Sequence, residues 1–210
     1  MTLSRRPVFQ DPVRAFQELP IITDYKIGEQ YIIAQEGENQ LTAELKEGPM
    51  YVWGSSLKLD YSLNGRSIGW RTFQLNPQTQ IFRAGKIEVD PAFQNQGLGK
   101  MILLHDLHQV HRLGWIFSQM ITNPILVHTA VKTRFEGHRI FEPGTMIQYQ
   151  VQNYDPWGPE MVNIGDPVSL EHFNPEGLVI SDRGAYQITG RPNPKFFEAL
   201  EAARLGSPRR

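Results

Sequence analysis

Between residues 88 and 100 the sequence reads E-V-D-P-A-F-Q-N-Q-G-L-G-K, with two glycines and a lysine where an apolar strand gives way to a helix. The first turn of a helix has backbone N–H groups without intrahelical partners, and the helix dipole adds partial positive charge there. Gly97 and Gly99 lack a Cβ, so an anion can approach those N–H groups closely, and Lys100 adds a full charge nearby. A phosphate or pyrophosphate is the natural guest. Two phosphate-binding patterns do not fit, however. A Walker A loop needs glycine where Gln94 stands, and serine or threonine where Met101 follows Lys100. A dinucleotide fingerprint needs a third glycine where Ile102 stands.

The elements around this seam are legible from their periodicity. Residues 86–89 make a strand, and residues 98–113 a helix closed by Gly114, with Leu98, Ile102, Leu104, Leu107 and Val110 on its apolar face. His105, His108 and His111 fall on a polar face of that helix. They lack the H-E-x-x-H pattern and drift around the axis, so a solvated surface is expected rather than a metal site. Upstream, YIIA is a strand, and LKLDYSL alternates with period two before Asn64-Gly65, the pair a type I′ hairpin turn prefers. SIGWRTFQL returns as the partner strand. Asp11-Pro12 starts a short helix over VRAFQEL. Downstream, ILVHTAV and TMIQYQVQ are strand-like, and residues 154–190 are rich in Pro, Gly and Asn turns. Asn193-Pro194 opens a last helix with Phe196, Phe197, Leu200 and Ala203 as its apolar stripe.

Composition narrows the function classes. The chain has 210 residues, 21 Lys plus Arg against 22 Asp plus Glu, and no cysteine. Balanced charge argues against generic attraction to nucleic acid or anionic membrane. Absent thiols exclude disulfides, thiolate metal sites and cysteine nucleophiles. No apolar run approaches the ~20 residues of a membrane span. A soluble cytoplasmic protein is expected.

The stretch I-E-V-D-P-A-F-Q-N-Q-G-L-G-K resembles motif A of the GNAT superfamily of N-acetyltransferases, through Val89, Pro91, Gln94, Gly97 and Gly99. Residues 89–114 are particularly similar to the ribosomal-protein and peptide N-terminal acetyltransferases. The resemblance covers about 30 residues in one place. It implies an α/β (α+β) fold with a mixed, mostly antiparallel central sheet flanked by helices. It suggests one domain over 1–210, with a core at 25–150 and a divergent extension at 151–210. It also implies acyl transfer from acetyl-CoA, or a longer acyl-CoA, to an amine, with no metal. The acceptor could be a small molecule, a peptide or a protein; a homodimer is left open. The cofactor-binding residues would be Val89, Gln94, Asn95, Gln96, Gly97, Leu98, Gly99 and Lys100, with backbone N–H groups of 95–100 holding the pyrophosphate and main-chain groups near Glu88 and Val89 meeting the pantetheine and thioester.

Attack of an amine on a thioester requires a neutral amine. A lysine-like amine with pKa ~10.4 is uncharged in only roughly one molecule in a few thousand at pH 7, so a base is useful. Glu88 is the first candidate, on a strand expected to be central and covered on both sides. His128 in ILVHTAV is the second. Many family members carry a tyrosine acid after the fifth strand, whereas this chain has no tyrosine between Tyr61 and Tyr149. The proton could come from Tyr149 or Tyr154, or from water. The remaining alternative is a degenerate domain that binds acyl-CoA as a sensor or scaffold.

Overall fold

The computed structural model describes residues 6–51, 54–121, 134–135, 138–139, 148–152 and 185–206. Strands β1 (Gln30–Glu36), β2 (Asn39–Tyr51), β3 (Gly54–Leu63), β4 (Arg66–Asn76) and β5 (Ile81–Val89) run as an antiparallel meander. At the β3–β4 turn, Asn64 and Gly65 both have positive φ, 51° and 77°, as the expected hairpin requires. Helix α2 (Leu98–Leu113) then crosses over to β6 (Ile116–Ile121), which pairs parallel to β5. The sheet is completed by β9 (Gln148–Gln152) and β10 (Ala185–Gly190), in the order β1-β2-β3-β4-β5-β6-β10-β9. A strand from the segment expected to be an extension thus pairs directly with β6. Two short strands, β7 (Arg134–Phe135) and β8 (His138–Arg139), form a separate ladder. The result is the mixed, mostly antiparallel sheet with flanking helices that the resemblance implies.

Two helical expectations change in detail. Helix α1 is a single turn, Pro12–Ala15, capped by the Asp11 side chain. Phe16 is already extended and bridges Ala34, and the Gln17 N–H donates to Ile33 O at 2.9 Å. Backbone pairing along the edge strand outcompetes the helical periodicity of VRAFQEL. Helix α3 (Pro194–Gly206) opens as expected, with the Lys195 N–H donating to Asn193 Oδ1 at 3.0 Å. Phe196, Phe197 and Leu200 are buried, while Ala203 lies on the exposed side.

Helix α2 departs most from expectation. Leu98, Ile102, Leu104, Leu107 and Val110 are buried, but so are His105, Asp106, His108 and Gln109. The polar face is inside because the sheet covers one side of the helix while residues 19–25 and α3 cover the others. Each of these side chains makes at least one polar contact, as burial demands, although His108 Nδ1 has no hydrogen-bond partner among the described residues. Asp106 pairs with the equally buried Arg71 of β4. Gln109 accepts from the Ile22 N–H at 2.8 Å and donates to Pro20 O at 3.1 Å. His108 Nε2 meets Glu201 Oε1 of α3 at 2.7 Å. His105 sits between two tyrosine hydroxyls, Tyr25 Oη at 3.1 Å from Nε2 and Tyr61 Oη at 3.3 Å from Nδ1. A neutral imidazole fits that pair, donating from one nitrogen and accepting on the other.

Burial lowers the His105 pKa to about 3, with His108 and Arg71 adding to the effect. Folding therefore excludes a proton that the unfolded chain takes up below its ordinary value of 6.5. The stability contributed by His105 is complete above pH 6.5 and is lost as pH falls toward 3. Replacing His105 by Gln keeps a donor and an acceptor but removes the titration. Between pH 7 and 4.5, urea unfolding should show the parent losing about 2 kcal/mol more stability than His105→Gln. Equal acid losses would contradict the buried neutral imidazole.

Candidate coenzyme site

The parallel ladder between β5 and β6 is short. It runs from Ile81↔Ile116 to Ala84↔Gln119 and stops, although β5 continues to Val89 on β4 and β6 continues to Ile121 on β10. The two strands therefore part beyond Ala84, and among the described residues the far edge of 85–89 has no strand partner.

At the same level β5 bulges. Arg71 faces Ile87 while Phe73 faces Ala84, so β5 carries one extra residue against β4. Gly85 makes the bulge sterically feasible, because a Cβ there would stand 2.4 Å from Thr72 Oγ1. The same Oγ1 accepts from the Lys86 N–H at 3.0 Å. Phe82 and Ala84 before the bulge point into the core, and an unbroken alternation would send Glu88 in with them. The extra residue turns Glu88 outward instead. Its side chain is 53% exposed and paired with Lys86 Nζ at 2.9 Å. The expected cover on both sides of this strand is thus corrected by the bulge and by the polar outer face of β2–β5, where Glu44, Asp60, Trp70 and Glu88 follow one another across the strands. Trp70 lies between Lys58 and Lys86, whose Nζ atoms are 5.5 and 5.0 Å from its ring.

Beyond Val89 the chain turns into the glycine loop under tight local control. The Asp90 N–H donates to Ile68 O at 2.8 Å, and Asp90 Oδ1 accepts from the Ala92 N–H at 2.7 Å. The Gln94 amide donates to Val89 O at 2.9 Å, and the Gln96 amide to Ala92 O at 3.0 Å. Both glutamines, expected as coenzyme contacts, brace the loop through their side chains. Asn95 and Gly97 take positive φ, 61° and 81°, so successive backbone amides turn around one concave side.

Helix α2 then begins with no side chain capping it. Among the described residues, the N–H groups of Gly97, Leu98 and Gly99 have no partner, while those of Lys100 and Met101 return to Gly97 O. Gly97, Gly99 and Lys100 are exposed, and Leu98 is buried. The two glycines serve different ends. Gly97 needs its left-handed conformation, whereas Gly99 is helical and a Cβ built on it would meet nothing within 4 Å. Nothing inside the protein requires glycine at 99. A Cβ there would point into open space beside the uncapped first turn of α2. A cavity of about 430 Å³ adjoins it, with Asn95, Gln96, Gly97, Lys100 and Met101 on one side.

The remaining candidates are less fully placed. Tyr149 lies on β9 opposite Ile188, in the row Tyr149–Ile188–Gln119–Ala84 that crosses the sheet where β5 and β6 part. It is two strand spacings, about 10 Å, from β6. His128 and Tyr154 lie outside the described residues. Among the described residues no helix is long and apolar enough to cross a membrane.

A meander leading into a strand–glycine loop–helix–parallel strand unit, with the two parallel strands splayed, settles the architecture. The topology is the mixed, mostly antiparallel sheet with one parallel crossover that the resemblance to the GNAT superfamily implies. No family model matches the chain, and no curated protein sequence matches it. Among solved structures it is similar to a Bacillus subtilis acetyltransferase in complex with CoA, at 14% identity over 65% of this chain and 76% of that one, TM-score 0.40. It is also similar to the ribosomal-protein-S18-alanine N-acetyltransferase of Escherichia coli, at 15% identity over 65% and 68%, TM-score 0.38. A GNAT-family acetyltransferase from Desulfovibrio desulfuricans is matched over only 43% of its length, at 20% identity and TM-score 0.29. These overlaps fall short of a shared global shape, and nothing below rests on them.

The contrast between the glycines is directly testable. Gly97→Ala forces a side chain into the left-handed region and should cost about 1–2 kcal/mol. Gly99→Ala should leave stability unchanged within about 0.5 kcal/mol or raise it slightly, since alanine is the better helix former. Chemical denaturation of both variants checks this; a large loss in Gly99→Ala would mean that the glycine serves the fold.

Proposed function

We propose that the chain is an acyl-CoA-dependent N-acyltransferase, most simply an N-acetyltransferase, moving an acyl group to a primary amine. One observation carries the reading: the first turn of α2 is open, uncapped and lined by a glycine that the fold itself does not need. The motif around it and the parting of β5 from β6 supply the matching features of a cradle and a slot. The N–H groups of Gly97, Leu98 and Gly99 would hold the diphosphate, with Lys100 adding charge, and the free edge of 85–89 would receive the extended pantetheine arm as a further strand does.

The coenzyme supplies an activated thioester. The amine nitrogen attacks its carbonyl carbon, the C–S bond breaks, and the thiol leaves carrying a proton. This chain must supply a place for the ammonium proton. Glu88 is the first candidate; it stands opposite Trp70 on the outer face and is held by Lys86. His128 and Tyr149 remain the second base candidate and a candidate acid. A thiol with pKa ~8.5 is a fair leaving group, so water can complete the proton transfer.

The exposure of Glu88 and its neutralisation by Lys86 favour a second reading, a coenzyme-binding module without turnover. Release of free CoA, followed over a panel of amines, separates the two. The enzyme reading predicts steady release that falls at least about tenfold in Glu88→Gln, with CoA affinity unchanged. Tight CoA binding without turnover on any amine supports the module. Under either reading, Gly99→Ala should weaken CoA binding about tenfold or more, roughly 1.4 kcal/mol, by calorimetric titration. Unchanged affinity in that variant would remove the cradle.

A further inference from the structure

The second side of the cavity comes from the other end of the chain. Pro7, Phe9, Gln10 and Pro12 face the glycine loop across it. This N-terminal segment is not a loose end. Both oxygens of Glu36 hold it, accepting from the Gln10 N–H at 2.6 Å and the Asp11 N–H at 3.0 Å. The Asn39 amide donates to Val8 O at 3.2 Å. The Val8 N–H donates to Gln96 O at 3.1 Å, so the segment is bonded to the loop it faces. Phe9 is buried in the core, anchoring the middle, and the two prolines restrict the backbone on either side.

Glu36, at the β1–β2 turn, gives both side-chain oxygens to residues 10 and 11, and the Asn39 side chain links Val8 O to Asn64. The segment's surface chemistry matches one ligand part. The Pro7 and Pro12 rings, exposed and half-buried, offer apolar faces to a flat ring. Gln10 commits its amide N–H to Pro7 O, and its amide oxygen remains an acceptor for an exocyclic amine. Lys100, across the cavity, suits a phosphate. At about 430 Å³, the space is in the range of small-molecule sites.

We propose that residues 7–12 form a fixed outer wall of a nucleotide subsite that takes the adenosine end of the coenzyme, with Glu36 as the positioning residue that holds the wall. This rests on the coenzyme reading above. It adds that affinity for the nucleotide half is set by the N-terminal segment as well as by the glycine loop.

Two variants test it: Gln10→Trp, an exposed position where the larger ring fills the cavity, and Glu36→Ala, which frees the wall. Calorimetry is run with CoA, and with the nucleotide half alone, adenosine carrying its 3′-phosphate and 5′-diphosphate. Gln10→Trp should melt with the parent yet bind both ligands about tenfold more weakly. Glu36→Ala, measured at a temperature where its melting curve shows it fully folded, should weaken both ligands by one common factor, placing its effect at the nucleotide end; unequal factors, or unchanged affinity in the folded variant, would overturn its positioning role. CoA and nucleotide affinities within about twofold of the parent in Gln10→Trp would overturn the wall. A parent that binds neither ligand would overturn the coenzyme reading itself, a distinct result.

Discussion

Everything proposed for this protein depends on where the β5–β6 ladder ends. Four parallel pairs join the strands, and then each follows a different neighbour, β4 on one side and β10 on the other. Residues 85–89 are exposed or half-buried, and among the described residues their far edge has no strand partner. Beside the uncapped start of α2, that edge concentrates hydrogen-bonding capacity along one line. The natural complement is a ligand with an extended, amide-bearing arm and an anionic group at its end.

Holding that line open requires a rigid surround, and the chain builds it from polar as well as apolar contacts. Helix α2 cannot slide or rotate on the sheet without breaking the Arg71–Asp106 pair, the Tyr25–His105–Tyr61 chain and the Gln109 contacts to residues 20 and 22. Desolvation raises the Asp106 pKa to about 6 against the opposing pull of Arg71. Buried pairs of this kind add little net stability, but breaking one is expensive, which makes them suited to fixing register. The start of α2 is thereby fixed in space relative to β5. The Glu201–His108 contact does the same between α2 and α3, and α3 follows directly on β10.

Much of this was legible in the sequence. The Asn64-Gly65 turn, the limits of α2 and the cap of α3 follow from local chemistry, in which residue type alone selects the backbone conformation. What escaped depends on tertiary pairing. The brevity of α1 is set by Phe16 and Gln17 joining the β1 edge, which no local signal announces. The outward turn of Glu88 comes from a bulge whose only sequence trace is Gly85, and a lone glycine in a strand has several meanings. The buried histidines of α2 look solvated because polarity is normally a surface property; their partners Tyr25, Tyr61 and Glu201 lie far away in the chain. The docking of residues 8–11 onto Glu36 and Asn39 was likewise invisible, since Glu36 gives no hint of its partner. The turn into α2, by contrast, was readable because Gly97 permits the left-handed conformation that starts the helix.

The central claim is that bare amides at the start of α2 grip the diphosphate of a thioester-carrying coenzyme. Amide nitrogen–proton NMR spectra recorded while CoA is titrated in test it most directly. The account predicts that the Gly97, Leu98 and Gly99 amide protons move downfield together as they acquire charged hydrogen-bond acceptors, at the same midpoint as changes along residues 85–89. Saturating CoA that leaves those three amides in place would contradict it.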